Sequence, residues 1–136
     1  MEENLYTPVG LRTLPAGDGH YIKKYGGDQW HRDSSYHQGT VWSWLLGVYA
    51  DALIKTQGAK GKAKAKKIIA AFNYHLNEGC IGSVSEIYDA DAPHHPRGCV
   101  AQAWSVAEIL RVVKEYRLYG MMKRSKAIKV TPLPVT

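Results

Sequence analysis

The stretch GTVWSWLLGVYADALIKTQG, residues 39–58, carries the clearest helical signal in this 136-residue chain. Its apolar residues recur at the three- and four-residue spacing that places side chains on one face of an α-helix. These residues are Trp42, Leu45, Leu46, Tyr49, Ala50 and Leu53. Gly58 follows the last apolar position, and glycine is a common residue at which a helix ends. The stretch therefore predicts a first long helix over residues 39–57.

Two further helices are predicted on the C-terminal side of this stretch. Residues 62–77 and 100–118 repeat the apolar spacing, and each run is followed by glycine. Residues 79–98 are rich in Gly, Pro and Asp and predict a long functional loop, whereas residues 1–38 predict loop with one short strand or turn. The predicted fold class is all-α, with about three long helices in residues 1–120 and a basic flexible tail at residues 121–136.

Charge and composition exclude several classes of protein. The net charge is +6, and many lysines lie in KGKAKAKK, residues 60–67, where alternation spreads them around a helix. This arrangement favours a solvated surface over a nucleic-acid-binding edge, with attraction to a polyanion as the weaker alternative. No apolar run approaches the roughly 20 residues that span a membrane. The acidic start MEENLYTPVG and the two cysteines predict a cytoplasmic protein without a secretory signal.

Polar and aromatic residues concentrate in three blocks, residues 26–44, 82–99 and 101–105. Flat aromatic faces combined with planar hydrogen-bonding groups are typical of carbohydrate sites. The aromatic members are Trp30, Tyr36, Trp42, Trp44 and Trp104, and the polar members are Asp33, His37, Gln38, Glu86, Asp89, Arg97 and Gln102. The blocks predict a carbohydrate-binding surface. His94 and His95 lie near two aspartates, but their spacing fits no standard zinc pattern, so neither a metal nor a cofactor is predicted.

Three motifs resemble one known family. YHQGTVWSWLLG, residues 36–47, GSVSEIYDADAPHHPRGCVAQAWSVAEILR, residues 82–111, and VGLRTL, residues 9–14, are similar to signatures of the amylo-α-1,6-glucosidase family of glycogen debranching enzymes. The resemblance covers about residues 5–119. Ser43 departs from it, because related sequences usually carry proline between the two tryptophans. We expect this serine to relax the helix start without moving a catalytic group.

The resemblance implies a fold and a reaction. The fold is an (α/α)6 toroid, of which this chain would form roughly the last quarter. The reaction is inverting hydrolysis of α-1,6 branch points in glycogen-like glucans, which needs a general acid and a general base. Glu86 matches the family's general base. The acid would lie outside this chain, on the missing N-terminal part of the toroid; Asp33 is a lower-ranked local substitute, more readily a sugar ligand or a partner of Arg32.

Further site residues follow from the resemblance, each with a structural alternative. His37 and Gln38 would donate hydrogen bonds to the non-reducing glucose, or instead cap a helix. For Trp42 and Trp104, core packing is the first interpretation and a sugar platform the second. The substrate-binding set comprises Asp33, His37, Gln38, Trp42, Asp89, Arg97, Gln102 and Trp104.

Glu86 and Arg97 are linked in these alternatives. Arg97 would orient Glu86 or bind a sugar hydroxyl, whereas the structural interpretation makes Glu86 a helix cap or the ion-pair partner of Arg97. Whether the chain is an enzyme by itself is left open, because the acid would lie elsewhere.

Three hypotheses remain open for the whole chain. It is a fragment or subunit of a debranching glucosidase, a non-catalytic carbohydrate-binding module, or a self-assembling helical domain. A partial toroid exposes apolar helix faces, so all three predict a homo-oligomer. Branched α-glucan or oligosaccharide is the predicted ligand under the first two.

Overall fold

The computed structural model describes residues 2–118, so the predicted tail at residues 121–136 lies outside the described part of the chain. Within residues 2–118, short strands alternate with helices. In chain order the elements are α1 Glu2–Leu5, β1 Tyr6–Thr7, β2 Gly10–Arg12, α2 Gln29–Ser35, β3 Val41–Trp42, α3 Leu45–Phe72, β4 Ile87–Tyr88, β5 Pro96–Arg97 and α4 Ala103–Glu115. A 3₁₀ segment, Asn73–Asn77, follows α3 directly.

The five strands form one antiparallel sheet in the order β1-β2-β3-β4-β5. Its register pairs Leu11 with Trp42 and Val41 with Tyr88. The prediction of an all-α fold, and with it of a partial (α/α)6 toroid, is therefore wrong: the fold is mixed. The sequence did not predict these strands, because each has only two or three residues, too few to show an alternating apolar and polar period.

Helix α3 is bent into a hairpin at Gly58. The backbone there has φ 56° and ψ −128°, which is not helical. Ala50 and Ala65 pack in one cluster, so the second half of α3 folds back along the first. A Cβ on Gly61 would lie 1.9 Å from the carbonyl oxygen of Leu53, which shows how closely the two backbones approach. The predicted helices at residues 39–57 and 62–77 correspond to these halves, and the first begins later because Val41 and Trp42 pair in the sheet.

The sheet packs against this helical hairpin to form the main core. Strand residues meet helix residues there, and complete burial of one such side chain contributes about 1.5–3 kcal/mol. The buried members are Val9, Leu11, Val41, Leu46, Tyr49, Leu53, Ile68, Phe72, Val84 and Tyr88. This packing fixes β3 and β4 side by side, and both strands lead directly into the polar motifs described next.

Helix α4 lies against α3 and is held by a cluster of ion pairs. Arg111 donates to the carboxylates of Asp51 and Glu108, each at 2.8 Å, and to Glu115 at 2.7 Å. Between α4 and the second half of α3 is an apolar groove of about 520 Å³, whose lining includes Ile69, Leu76, Val106, Ile109 and Val113.

The formation of a homo-oligomer, expected from the sequence, stays a prediction. Over residues 2–118, no helix combines the length and apolar character that crossing a bilayer requires.

Candidate functional site

Glu86 lies immediately before β4, where the second and first polar motifs meet. Its Oε1 accepts a hydrogen bond from the hydroxyl of Tyr36, and its Oε2 accepts one from the backbone N–H of Cys99 at 2.8 Å. The backbone N–H of Glu86 donates in turn to the carbonyl of Cys99 at 2.9 Å. The carboxyl group is therefore held at both oxygens. Each oxygen has a further lone pair that can accept from a water molecule or a sugar hydroxyl.

Tyr36 reaches Glu86 because of where α2 ends. The carboxylate of Asp28 accepts from the backbone N–H of His31 at 2.9 Å and caps the start of α2, and Tyr36 is the residue that ends it. Gly39 then turns the chain into β3 with a φ of 115°, a conformation that side chains disfavour. A Cβ at Gly39 would also lie 2.7 Å from the ring of Tyr21. The short helix and this turn together direct the phenol towards the loop before β4.

A second glycine makes room for the Glu86 carboxylate. Gly98 has a φ of 65°, and a Cβ on it would lie 2.5 Å from Oε2 of Glu86. The next residue, Cys99, supplies the N–H that bonds the same oxygen. The turn after β5 is thus shaped both to approach the carboxylate closely and to donate to it.

The environment of Tyr36 keeps its hydroxyl a hydrogen-bond donor. Burial, followed by the hydrogen bond to Glu86, raises the pKa of Tyr36 well above its usual value. The raised pKa favours the neutral phenol, the form that can donate a hydrogen bond. Tyr36 acts at this site as a donor and not as an anion.

Aromatic rings extend from Tyr36 to the surface. The Tyr36 ring meets Trp42 edge-on at 4.8 Å between centroids, and His37 stacks on Trp42 at 5.3 Å with an interplanar angle of 7°. Trp104 meets the other side of this group, 6.1 Å from Trp42 and 6.1 Å from Trp44. Trp42 is only 5% exposed and lies on β3, not on a helix, whereas Trp104 on α4 is 50% exposed. Trp104 and His37 are therefore the exposed members of this aromatic group, Trp42 supports them, and Tyr36 connects the group to Glu86.

Asp89 and Arg97 bind each other. Nε and Nη2 of Arg97 donate to the two carboxylate oxygens of Asp89 at 3.1 and 2.9 Å, and the backbone N–H of Tyr25 donates to Asp89 Oδ1 at 2.9 Å. Asp89 is 1% exposed, and the hydrogen bond to its carboxylate raises the pKa of Arg97. Arg97 thus pairs with Asp89, and the donors to Glu86 are Tyr36 and Cys99. The pair fixes the β4–β5 hairpin and the loop that contains Tyr25.

The remaining predicted residues are spread around this centre. Gln102 caps α4, since its Oε1 accepts from the N–H of Ala103 at 3.1 Å. His37 is exposed and Gln38 half-buried, and neither caps α3, whose cap residue is Trp44. Asp33 is exposed on α2.

Arg32, the predicted partner of Asp33, instead donates to the carbonyl of Gly27 at 2.6 Å. Within residues 2–118, no group of three His, Cys, Asp or Glu side chains is placed to hold a metal ion.

Two features of the site were not predicted from the sequence. The Tyr36–Glu86 hydrogen bond joins residues 50 positions apart, and the sequence marks Tyr36 only as one aromatic residue among several. Ser43 was expected to loosen the start of α3, yet its buried hydroxyl donates to the carbonyl of Val9 at 2.6 Å and ties the helix to the β1–β2 turn. In both cases the only indication in the sequence was a residue with a hydroxyl group inside an otherwise apolar or aromatic motif.

The three motifs that build this site fall within one family match. The model of a protein family described as amylo-alpha-1,6-glucosidase matches residues 1–111. The match takes in VGLRTL, the block around Tyr36 and the whole segment from Gly82 to Arg111. It covers most of the 136-residue chain.

Proposed function

The chain belongs to the amylo-alpha-1,6-glucosidase family, and we propose from this that it takes part in inverting hydrolysis of α-1,6-glucosidic branch points in glycogen-like glucans, with Glu86 as the general base. In this reaction Glu86 accepts a proton from a water molecule as the water oxygen attacks the anomeric carbon. The bond from that carbon to the leaving oxygen breaks, and a general acid protonates the leaving oxygen. The released glucose has the β configuration, inverted from the substrate.

The orientation of the Glu86 carboxyl group is the observation that carries this proposal. Donors at both oxygens fix the group in one direction, and one of these donors, Tyr36, packs in the aromatic group whose exposed members are Trp104 and His37. A general base must lie within hydrogen-bond reach of the water that it activates, so a carboxylate of fixed direction suits the role.

The general acid is a separate part of the proposal. Inverting glycosidases hold the two carboxyl groups roughly 6.5–9.5 Å apart, on opposite sides of the sugar. We assign the acid to a polypeptide segment other than residues 2–118. Asp33, exposed on α2, is the local alternative.

A substrate that needs no acid tests the base alone. α-D-Glucosyl fluoride loses fluoride without protonation, so water activation by Glu86 suffices. We expect the purified chain to release fluoride and β-glucose, and Glu86→Gln to release fluoride at least about 100-fold more slowly, within the range for losing a general base. Glu3→Gln, which makes the same charge change at an exposed residue of α1, is the control and should retain the wild-type rate.

The fluoride assay and a dextrin assay test the general base and the general acid separately. Equal fluoride release by wild type and Glu86→Gln would refute the assignment of Glu86. Glucose release from a phosphorylase limit dextrin then tests the acid, since an α-1,6 branch point needs leaving-group protonation. Release that Asp33→Asn abolishes on the dextrin but not on the fluoride would move the acid to Asp33.

A non-catalytic carbohydrate-binding role is the second candidate, and the 50% exposure of Trp104 favours it. A stacked sugar ring contributes binding energy through the indole face alone. This role predicts retention of the chain on a branched glucan that persists in Glu86→Gln and is lost in Trp104→Ala, without fluoride or glucose release from any variant. Turnover by the wild-type chain would exclude it as the whole function.

A further inference from the structure

We infer that Tyr36 is the positioning residue for Glu86: its hydroxyl sets the direction of the carboxylate that accepts the proton from water. This inference rests on the proposed function of Glu86 and adds a residue to it. The Tyr36 hydroxyl donates to Glu86, so the contribution assigned to it is orientation of the carboxylate and not proton transfer.

Two donors define the plane of the Glu86 carboxyl group. The backbone N–H of Cys99 fixes Oε2, and that bond alone leaves the group free to rotate about the axis through Oε2. The hydroxyl of Tyr36 fixes Oε1 and removes this freedom. Among the hydrogen bonds of residues 2–118, Tyr36 is the one side chain that donates to Glu86. The carboxylate direction therefore depends on a single phenol.

Tyr36 is itself held by the strand pair that positions Glu86. The indole Nε1 of Trp42 donates to the carbonyl oxygen of Tyr36 at 3.3 Å, and the Trp42 ring meets the Tyr36 ring edge-on. Trp42 pairs in register with Ile87, the neighbour of Glu86. Glu86 is thus connected to Tyr36 in two ways: directly by the hydrogen bond, and through Ile87 and Trp42 by the strand pairing. These two connections restrain the phenol and the carboxylate relative to each other.

The hydroxyl group of Tyr36 can be removed by substitution while its ring keeps the contact with Trp42. Tyr36→Phe removes one oxygen atom and keeps the ring against Trp42, so the fold should persist. Tyr25→Phe makes the same change in a ring whose centroid lies 5.8 Å from that of Tyr36, and whose hydroxyl makes no hydrogen bond to Glu86. The two variants form a matched pair.

The kinetic test uses α-D-glucosyl fluoride with the full chain. We expect Tyr36→Phe to lower kcat by about 10- to 100-fold, since a misplacement near 1 Å costs on that order. KM should stay within about two-fold, because ground-state binding does not use the hydroxyl. Tyr25→Phe should keep both constants. Equal kcat in Tyr36→Phe and wild type, when Glu86→Gln is inactive, would overturn the inference and leave the proposed function standing.

A second measurement does not depend on turnover. The carboxyl ¹³C resonance of Glu86, assigned by its disappearance in Glu86→Gln, reports the surroundings of the group directly. We expect Tyr36→Phe to shift this resonance and Tyr25→Phe to leave it in place. If no variant or wild-type chain releases fluoride, the proposed function fails, and this shift still decides whether Tyr36 orients the carboxyl group. An unshifted resonance in Tyr36→Phe would refute the inference by itself.

Discussion

Trp42 lies opposite Ile87 in the antiparallel pair of β3 and β4. This one pairing brings together two motifs that are 45 positions apart and places Glu86, the residue before Ile87, beside the end of α2. Strand pairing rather than helix packing therefore assembles the candidate site. Changes that weaken the β3–β4 pair should affect the site before they affect the α3–α4 contact.

Gly98→Ala should disable the site and destabilise the fold. The new Cβ would lie 2.5 Å from Oε2 of Glu86, and the φ of 65° is unfavourable for alanine by about 1–2 kcal/mol. We expect lower thermal stability and loss of Glu86-dependent fluoride release. Differential scanning calorimetry and the fluoride assay measure the two effects.

Gly82→Ala is the matched control for this variant. Gly82 has a φ of 73°, and a Cβ on it would meet nothing within 4 Å. It should lose similar stability but keep fluoride release. Equal activity loss in both variants would mean that backbone strain, and not contact with Glu86, explains the effect.

Asp89→Asn should destabilise the β4–β5 hairpin. Asparagine offers one acceptor oxygen where the carboxylate offers two, so Arg97 and the N–H of Tyr25 lose part of their bonding at a position that is 1% exposed. Losing a hydrogen bond to a charged group lowers the free energy of unfolding by about 1.5–3 kcal/mol. Because Arg97 is half-exposed, we expect a loss near the lower figure. Urea unfolding measures it. Asp33→Asn, on the exposed face of α2, should change the free energy of unfolding by less than about 0.5 kcal/mol.

Ser43→Ala should lower the stability of the fold. The carbonyl of Val9 would lose its buried donor, at a cost of about 1–3 kcal/mol. Ser34→Ala removes a hydroxyl that donates to the carbonyl of His31 at the surface of α2, and should cost much less. Chemical unfolding that ranks the two variants equally would contradict a tethering role for Ser43.

Acid should weaken the contact between α3 and α4. Burial alone would raise the pKa of Asp51, but hydrogen bonds from Arg111 and Tyr116 outweigh it and hold the pKa below the ordinary 3.8. A carboxyl group whose pKa is lowered by folding stabilises the protein above its unfolded pKa, and that stability disappears as the pH falls through the folded pKa.

Arg111→Met tests this dependence. We expect it to lower the free energy of unfolding by about 1 kcal/mol at pH 7, a figure reduced because the Arg111 side chain is 36% exposed. The loss should be clearly smaller once the pH has fallen through the lowered pKa of Asp51. Lys114→Met, at an exposed residue of the same helix, should show no such pH dependence. A constant difference between wild type and Arg111→Met at all pH values would contradict the role of Asp51.

The helices could be predicted from the sequence because their signal is local. The apolar spacing in residues 45–72 and 103–115 is complete within each helix, and Gly58 marked the break between the two halves of α3. The sheet could not be predicted in the same way, because strands such as Val41–Trp42 are stabilised by partners far along the chain. The motif residues were recognisable, but the pairing of Tyr36 with Glu86, 50 positions away, was not. Arg97 was expected to contact Glu86 and instead pairs with Asp89, 8 positions away, because its side-chain partner is set by the β4–β5 hairpin.

The hairpin in α3 follows β3 after two intervening residues and lies in the connection from β3 to β4, its neighbour in the sheet. Its turn at residues 55–60 is exposed throughout, and a side chain at Gly58 would point into open space. The turn is therefore a natural place to splice in a foreign peptide, such as an epitope or a fluorescent reporter. Such a graft would leave both strands in register, and it would give a handle for immobilising or imaging the protein.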